Sequence, residues 1–337
     1  MTKNRLIIIL LSFIAINTLA SIFNIWESIW WLILFIDFIL VVAFAEQLGT
    51  IIPLKHQKLY QRALAISFPI FMLITWELIV NAGILNPRWF PPPTKIAAAL
   101  WDLTVNYDRF NKTSLFGRPW LIPSVLQTQG WSGVWPLFTE SHVLTTLWRV
   151  FAGFIIGAIP GILLGIIMGL NKTIRMMLDA TMSAVYVLPK IAIFPIMMLI
   201  FPNPFGEGPK IAVVAISAFF LVAISTMAGV RDIDPVFLQV AKNFGANRRQ
   251  TFWHVIVPGA LPIIFSGLRL ALGTALIVIV AIEFIRAQIG VGFVVFYHWQ
   301  ILATDKMYAG LFVVMMLGIL FTFILQAIER WVMPWRK

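Results

Sequence analysis

Eight long apolar runs constrain this 337-residue chain more than any other feature of its sequence. An α-helix needs about 20 mostly apolar residues to cross the hydrocarbon core of a bilayer. Hydrophobic residues make up 60% of the chain and charged residues 12%, which excludes an ordinary soluble domain. The runs occupy residues 6–23, 29–45, 63–82, 147–170, 176–201, 211–230, 255–285 and 307–332. The sequence predicts an all-α polytopic membrane protein with both termini on one side.

The basic residues of the short loops predict which side that is. With a cytoplasmic N-terminus, Lys55, Lys58, Arg62, Lys172 and Arg175 lie inside, as the positive-inside rule requires. The basic residues of 231–249 and the terminal Arg336 and Lys337 then lie inside as well. The net charge of +11 is spread over these loops instead of forming one patch. We therefore expect contact with anionic lipid and no nucleic-acid partner.

A polar, basic segment, DPVFLQVAKNFGANRRQTFWHVIVP at 234–258, separates two of the apolar runs. Asp234 can cap a helix that has Pro235 at its first position, and Gly245 can end that helix in a left-handed conformation. Asn247 can cap a second short helix. One face of the first helix carries three apolar side chains, those of Val236, Val240 and Phe244. The segment is predicted to be a cytoplasmic helical knob that fits a partner's groove, the alternative being an ordinary cytoplasmic loop.

The spacing QVA-x3-G-x9-VIVP in this segment resembles the EAA loop of ABC importer permeases, EAA-x3-G-x9-I-x-L-P. In that family the loop is the coupling helix that docks on the ATPase subunit. Gln239 and Val240 stand where the family has Glu and its first Ala, while Val255 and Val257 are conservative replacements. The resemblance implies an ATPase-coupling role for Gln239, Ala241, Gly245, Ala246, Arg248 and Pro258.

From about residue 63 onward the chain resembles the nitrate/sulfonate/taurine/bicarbonate branch of those permeases. Six pieces in order carry the resemblance: TWELIVNAGILNPRWFPPPTKIAAALWDL, TLWRVFAGFIIGAIPGILLGIIMGL, LPKIAIFP, the segment at 234–258 continuing into PGALPIIFSGLRLALG, AIEFIRAQIGVG and IERWVMPW. The resemblance implies a type I ABC importer-like transmembrane bundle in a bacterial inner membrane. It also implies import of a small anion or polar solute, such as nitrate, bicarbonate, a sulfonate or taurine, by alternating access.

The same resemblance implies the partners of the chain. They are two ABC ATPase subunits carrying ATP and Mg, a second permease copy in a homodimer, a periplasmic solute-binding protein or domain, and membrane lipid. No G-x-x-x-x-G-K-[ST] loop is present, so energy must come from another polypeptide or from an ion gradient. The four histidines lack metal-ligand spacing and cysteine is absent, so we expect no metal, no cofactor and no enzymatic activity on this chain.

Two features depart from the usual pattern of six core spans: an additional pair of helices at the start of the chain, and an external segment that is longer than expected. We expect residues 1–46 to form the additional two-helix membrane element and residues 47–337 to form the permease domain. Within that domain we expect a core bundle at about 63–333, a coupling loop at 232–257 and an external Trp- and Pro-rich segment at 85–142. Trp101, Trp120, Trp131 and Trp135 of the external segment are typical of a membrane interface. Asp37, inside an added span, is costly in lipid and is expected to face protein or water.

Five glycines recur at every fourth position of one span, which predicts close approach of neighbouring helices. The row drifts around the helix by about 40° per step, so two neighbouring helices are an alternative to one straight dimer seam. Sliding of this helix during transport is a further hypothesis. The row consists of Gly153, Gly157, Gly161, Gly165 and Gly169.

The strongest candidates for the translocation path lie in LPKIAIFP, where Pro189 and Pro195 are expected to break or kink a span. Lys190 at that break either offers positive charge to a passing anion, pairs with Asp179 or Glu283, or caps a helix. Arg149 and Glu283 are further candidates for the path. Their alternative is a structural ion pair, as for Arg269.

Three rival functions remain at this stage. A secondary transporter or channel driven by an ion gradient predicts inverted repeats and acidic residues at mid-membrane, and neither is clear in the sequence. A membrane-embedded transferase or phosphatase needs clustered His, Asp or Arg at an interface, and no such cluster is present. A purely structural membrane subunit would purify without a nucleotide-hydrolysing partner.

Overall fold

A computed structural model describes residues 2–23, 26–108 and 113–335, and the regular structure of these ranges is helical apart from isolated β-bridges. The helices and their bounds are α1 Thr2–Ile22, α2 Trp26–Ile51, α3 Gln57–Asn81, α4 Pro93–Val105, α5 Ile122–Thr139, α6 His142–Leu170, α7 Lys172–Val187, α8 Lys190–Ile200, α9 Glu207–Arg231, α10 Pro235–Asn243, α11 Arg248–Thr251, α12 Val257–Arg286, α13 Val291–Gln300 and α14 Thr304–Val332. The all-α prediction is confirmed. The terminal Arg336 and Lys337 lie outside the described residues.

The described residues form two compact units, 1–98 and 99–337. In the first unit α1 packs on α2, and the carboxylate of Asp37 on α2 is buried. The side-chain amide of Asn17 on α1 donates to both carboxylate oxygens of Asp37, at 2.9 and 3.1 Å. Asp37 therefore faces protein, as expected, and its partner comes from the neighbouring added helix. The division of function at residue 46 stays a prediction.

The glycine row joins α6 to α9 in the second unit. All five glycines face α9, and a Cβ added to Gly157 would lie 2.1 Å from the carbonyl oxygen of Ala215. The backbones of the two helices thus touch with no room for a side chain. The nearest atoms to all five added Cβ positions belong to α9, so among the described residues one helix takes up the whole row. The contacted residues also advance about every four positions along α9, so one helix follows the drift of the row.

The helices α6 and α9 run in the same direction, since Gly153 lies against Val214 and Gly169 against Val230. The chain between them must therefore return along the length of α6. That return consists of α7 and α8, which meet at a bend of 98°. Seven helices are long and apolar enough to cross a membrane by themselves, and the bent pair is the eighth candidate crossing in the described part of the chain.

The core of the second unit lies around α12. Its side chains at Leu272, Ala275 and Ile279 are fully or almost fully buried against residues of α6, α9, α13 and α14. A π-helical turn at Phe252–Ile256 leads into α12. The last helix, α14, then returns along this core. The segment at 234–258 and the buried Glu283 therefore lie at opposite ends of α12.

The segment at 85–142 contains two helices of its own, α4 and α5. No residue of α5 is charged. The indole rings of Trp101, Trp120, Trp131 and Trp135 are all exposed. Residues 109–112 of this segment lie outside the described residues. Exposed indoles on an uncharged helix are typical of a headgroup interface.

Candidate functional site

The segment at 234–258 folds as two short helices and a turn, as its sequence predicts. The carboxylate of Asp234 accepts from the backbone N–H of Val236 at 2.9 Å and so caps α10. Gly245 has a φ of +74°, which only glycine adopts without strain. Its N–H bonds to the carbonyl of Lys242, and the N–H of Ala246 bonds to that of Ala241. This pair of bonds is a Schellman ending, which closes α10 and turns the chain sharply.

The second short helix, α11, begins with a reciprocal capping box. The side chain of Asn247 accepts from the N–H of Gln250 at 2.9 Å, and the side chain of Gln250 accepts from the N–H of Asn247 at 2.8 Å. Both ends of the turn are thereby fixed by hydrogen bonds within the segment itself. The conformation of the knob therefore does not depend on contact with a partner.

The exposed side of this knob is apolar. We define the apolar face as the four side chains of Val236, Phe237, Val240 and Phe244, all of them exposed and the last to 88%. Of the residues assigned an ATPase-coupling role, Gln239, Gly245 and Arg248 are exposed, Ala246 and Pro258 are half-buried, and only Ala241 is buried. Phe237, three residues before Val240 and seven before Phe244, lies on the same side of the helix, although the i, i+4, i+8 pattern of the other three does not include it. An apolar face held rigidly in the open is the usual form of a binding knob.

The break in LPKIAIFP lies at Leu188–Pro189, between α7 and α8. Pro195 lies inside α8, where it does not end the helix, so only the first of the two prolines breaks the span. The ammonium of Lys190 donates to the carbonyls of Val185 at 3.3 Å and Leu188 at 2.9 Å, and also to that of Tyr186. These carbonyls belong to the end of α7.

The ammonium of Lys190 has three N–H groups, and each of them has a carbonyl acceptor on this chain. No N–H group is therefore left to bind a passing anion. The positive charge also lies at the negative end of the α7 dipole. The contacts of Lys190 thus favour capping among the alternatives that its sequence position allows. Its pairing with Glu283 is not found, because that carboxylate binds Arg149.

The guanidinium of Arg149 lies at the centre of the buried charge cluster, which we define as the buried Arg149, Lys210 and Glu283 together with Glu207, whose side chain is 46% exposed. It contacts the Glu283 carboxylate at 2.7 Å and the Glu207 carboxylate at 2.5 and 2.8 Å. The side chain of Arg149 is 3% exposed and that of Glu283 is 0% exposed. Lys210 binds Glu207 at 3.0 Å. Two positive and two negative charges therefore balance within the cluster.

The cluster also fixes the start of α13, which follows Gly290 with a φ of +140°. Three successive backbone N–H groups find side-chain acceptors there: Gly290 on His142 Nδ1 at 3.1 Å, Val291 on Thr146 Oγ1 at 2.9 Å and Gly292 on Glu283 Oε2 at 2.9 Å. The Thr146 hydroxyl donates in turn to Glu283. The roles of His142 and Thr146 were not foreseen, since 137 or more residues separate them from their partners.

The geometry of Arg149 and Glu283 is that of a structural ion pair that joins α6 to α12. Neither side chain has appreciable exposed surface within the chain. A second pair joins Arg269 on α12 to Glu329 on α14. The ion-pair interpretation thus describes their contacts, and their place in a translocation path stays a prediction.

Comparisons with known proteins identify the family. Residues 161–334 match the family model described as binding-protein-dependent transport system inner membrane component. The chain is 30% identical over 294 residues to the taurine transport system permease protein TauC of Escherichia coli (strain K12), covering 84% of this chain and 97% of that protein. It is 28% identical over 281 residues to the putative aliphatic sulfonates transport permease protein SsuC of Bacillus subtilis (strain 168), covering 83% and 90%.

A third relative and two solved structures extend the comparison. The nitrate import permease protein NrtB of Synechococcus elongatus is 27% identical over 228 residues, covering 68% of this chain and 73% of that protein. Chains of the MetNI methionine ABC transporter in inward-facing conformations match with TM-scores of 0.51 and 0.50 at 20% identity. They cover 57% and 56% of this chain and 94% and 92% of theirs. The fold is that of a type I ABC importer transmembrane subunit, and the chain belongs to the family of binding-protein-dependent inner membrane permeases.

Proposed function

We propose that this chain is the translocation subunit of an ATP-driven importer that moves a small anion or polar solute into the cytoplasm by alternating access. The solute class is that of the taurine, sulfonate and nitrate permeases it resembles, with bicarbonate as a further member. The names of three relatives support this class. In this proposal the chain has no catalytic activity of its own and acts as a helix bundle that its partners move.

The single observation that carries the ATP-driven mechanism is the exposed apolar face of a rigid knob. Four apolar side chains in water cost free energy unless a partner covers them. Two ABC ATPase subunits, each with ATP and Mg, are the proposed partners. Because hydrogen bonds fix both ends of the knob, its motion passes to α12 through the π-helical turn and not into local bending.

The parallel course of α6 and α9 supports the proposed topology. It supports counting α7 and α8 together as one crossing, and eight candidate crossings in the described residues agree with both termini on one side. The positive-inside rule puts that side in the cytoplasm, with the apolar face. The opposite ends of α6 and α12, with α13, then face outward, where a solute-binding protein delivers its load. A second copy of this chain completes the path, as a homodimer, in the bacterial inner membrane.

Reconstitution tests this proposal against an ion-gradient mechanism. The chain is purified with its companions, placed in liposomes with ATP inside, and supplied with the binding protein and taurine, ethanesulfonate or nitrate outside. We expect uptake against a gradient only when ATP and the ATPase are present. Uptake by the chain alone, driven by a proton or sodium gradient, would contradict the proposal.

A further inference from the structure

The segment at 85–142 folds back on itself around α5. Just before α5, Arg118 donates its backbone N–H to the carbonyl of Leu137 at 3.2 Å, and its guanidinium lies 2.6 Å from the carboxylate of Glu140. A straight helix would separate residues 118 and 137 by about 28 Å, at 1.5 Å per residue. The two ends of the stretch between the ion-pair partners therefore meet. We name this stretch the 119–139 hairpin.

The chain reverses its direction at Gly130. The φ of +66° and ψ of −162° at this residue interrupt α5, and glycine is almost alone in adopting that combination. Beyond the turn, a Cβ added to Gly133 would lie 2.7 Å from side-chain atoms of both Gln129 and Val125, so the second half packs closely on the first. Val125 and Gly133 are equally distant along the chain from residue 129, and so are the partners of the ion pair. The inner contact and the outer contact thus describe one hairpin.

The hairpin carries no charge, and its hydroxyl groups already bind its own backbone. Residues 119–139 contain no Asp, Glu, Lys, Arg or His. Each hydroxyl donates to a backbone carbonyl three or four residues earlier, at 3.0 to 3.4 Å. These hydroxyls belong to Ser124, Thr128, Ser132 and Thr139. Such internal hydrogen bonds reduce the cost of placing a hydroxyl next to lipid, because the group does not need water as its partner.

One side of the second half is apolar and exposed. Trp131, Trp135 and Phe138 follow the i, i+4, i+7 spacing of a helix face, and we name them the indole face. The two indoles are 79% and 70% exposed, whereas Val134 and Leu137, beside this face, are buried in the chain. An indole prefers the headgroup level of a membrane, where its ring meets apolar groups and its N–H finds an acceptor. The composition of the face therefore matches the membrane interface.

The hairpin is attached to the start of a membrane crossing. Three backbone hydrogen bonds of 3.0 Å join residues 114–115, before the hairpin, to residues 140–143, after it. Ser141 caps α6, which begins at His142 and is one of the candidate crossings. A helix that crosses a bilayer begins near the headgroups. Lipid headgroups are therefore close to the base of the hairpin, on the external side in the proposed topology.

The hairpin is too short and too polar to enter the hydrocarbon core deeply. Its longer half, residues 131–139, spans about 13 Å, compared with a core thickness of about 30 Å. The amides of Gln127 and Gln129 lie beside the turn, so the tip of the hairpin is polar. Accordingly, α5 is not among the candidate crossings found in the described ranges. A hairpin that lies along the membrane surface accommodates both the amides and the indole face.

We propose that the 119–139 hairpin binds the headgroup region of the outer leaflet, with phospholipid as the partner of its indole face. Because the hairpin has no charge, this binding needs no anionic lipid. A soluble partner that docks and leaves would return the indoles to water each time, whereas lipid is adjacent permanently. The binding does not depend on the solute or on ATP. Only its assignment to the outer leaflet rests on the proposed topology.

A spin label on the indole face measures this placement. The chain has no cysteine, so Phe138→Cys creates a single labelling site and keeps both indoles. The labelled full-length chain is placed in nanodiscs of phosphatidylcholine, with or without phosphatidylglycerol. Oxygen dissolves in lipid, so we expect it to relax the label more than a water-soluble nickel complex does, in both lipid mixtures. Ile14→Cys, 52% exposed on α1, is the lipid control, and Lys242→Cys, exposed on the knob, is the water control.

Substitutions in the labelled chain test the indoles themselves. Trp131→Asp/Trp135→Asp puts two carboxylates on the face and should reverse the order, so that the nickel complex relaxes the label more than oxygen does. Trp131→Phe/Trp135→Phe keeps the face apolar and should leave the order unchanged. Trp101→Asp changes an indole that is also 70% exposed but lies on α4, outside the hairpin. This matched control should leave the order unchanged as well.

Three results would overturn the proposal. The first is a Phe138→Cys label that is as accessible to the nickel complex as the Lys242→Cys label. The second is protection from both reagents together with magnetic coupling between labels, which would assign the face to a second copy of this chain. The third is immersion that requires phosphatidylglycerol, since the hairpin has no cation to attract that lipid. None of these measurements involves uptake, so a failure of the proposed function would be observed separately.

Discussion

In the buried charge cluster, charged side chains are withdrawn from solvent, and in the apolar face, apolar side chains are exposed to it. Each region is the opposite of what is usual for its type of side chain. At one end of α12 two full charges, on Arg149 and Glu283, are withdrawn from solvent and satisfied by neighbours in the same chain. At the other end, four apolar side chains lie exposed on a knob whose two short helices are capped by its own side chains. The charges of the first region are paired within the chain, whereas the proposed function assigns the apolar face of the second to a partner.

This difference predicts where substitutions act. Changes in the cluster should damage the chain itself, because a buried charge cannot find water when it loses its partner. Changes on the apolar face should leave the isolated chain intact and damage its assembly. The following experiments test that division, beginning with the largest expected effect.

Arg149→Met should destabilise the isolated chain by about 3–5 kcal/mol, because it leaves Glu283 charged, buried and unpaired. Thermal unfolding in detergent and the yield of folded protein measure the effect. The double variant Arg149→Met/Glu283→Gln removes both charges and should recover part of the loss. Lys95→Met, an exposed basic residue, is the control. Wild-type stability of Arg149→Met would refute a structural role for the cluster.

Phe244→Ala should weaken association with the ATPase by about 2 kcal/mol, roughly 30-fold, because a large apolar side chain at the tip of a knob is a typical hot spot. The stability of the isolated chain should stay within about 0.5 kcal/mol of wild type, since the ring is 88% exposed. Binding of the purified ATPase to immobilised chain measures the change. Leu199→Ala, at a side chain exposed to 86% outside the knob, is the control. An unchanged ATPase affinity would show that the partner docks elsewhere.

Gly245→Val should cost about 1–2 kcal/mol in the turn, because a β-branched residue resists a φ of +74°. Nothing lies within 4 Å of an added Cβ, so the whole effect comes from the backbone. We expect normal insertion, with less solute imported for each ATP hydrolysed. Gly245→Asn tolerates the left-handed conformation and should couple better than the valine variant. Gly273→Ala, another open glycine but with helical φ, should have no effect.

The parts of the fold that depend on short sequence patterns could be predicted. Apolar runs fix the helices, and Asp234, Gly245 and Asn247 fix the caps of the knob, because each of these signals acts within a few residues. The lysine at the break was identified as a costly charge, yet its partners on α7 depend on the direction of the 98° bend. No local pattern specifies that angle.

Contacts between residues far apart in the chain could not be predicted from the sequence for the same reason. Arg149 and Glu283 were recognised singly, but their contact spans 134 residues, and two of the three acceptors at the start of α13 come from α6, at separations of 148 and 145 residues. The glycine row predicted close packing correctly, but its spacing does not specify which helix packs on it, and in the described residues that helix is α9.

The smallest expected effect concerns α13, where burial lowers the pKa of His298 and favours its neutral ring. Because its pKa is lowered on folding, the folded chain binds fewer protons than the unfolded chain below the ordinary His pKa of about 6.5. Stability should therefore fall as the pH decreases from about 8 to about 5.5, and the fall should be smaller in His298→Gln. Lys306 disfavours the charged ring, while Asp305 and Asp108 favour it. His254→Gln, at an exposed ring on the knob, is the control, and identical pH profiles for wild type and His298→Gln would show that burial of this ring does not couple to folding.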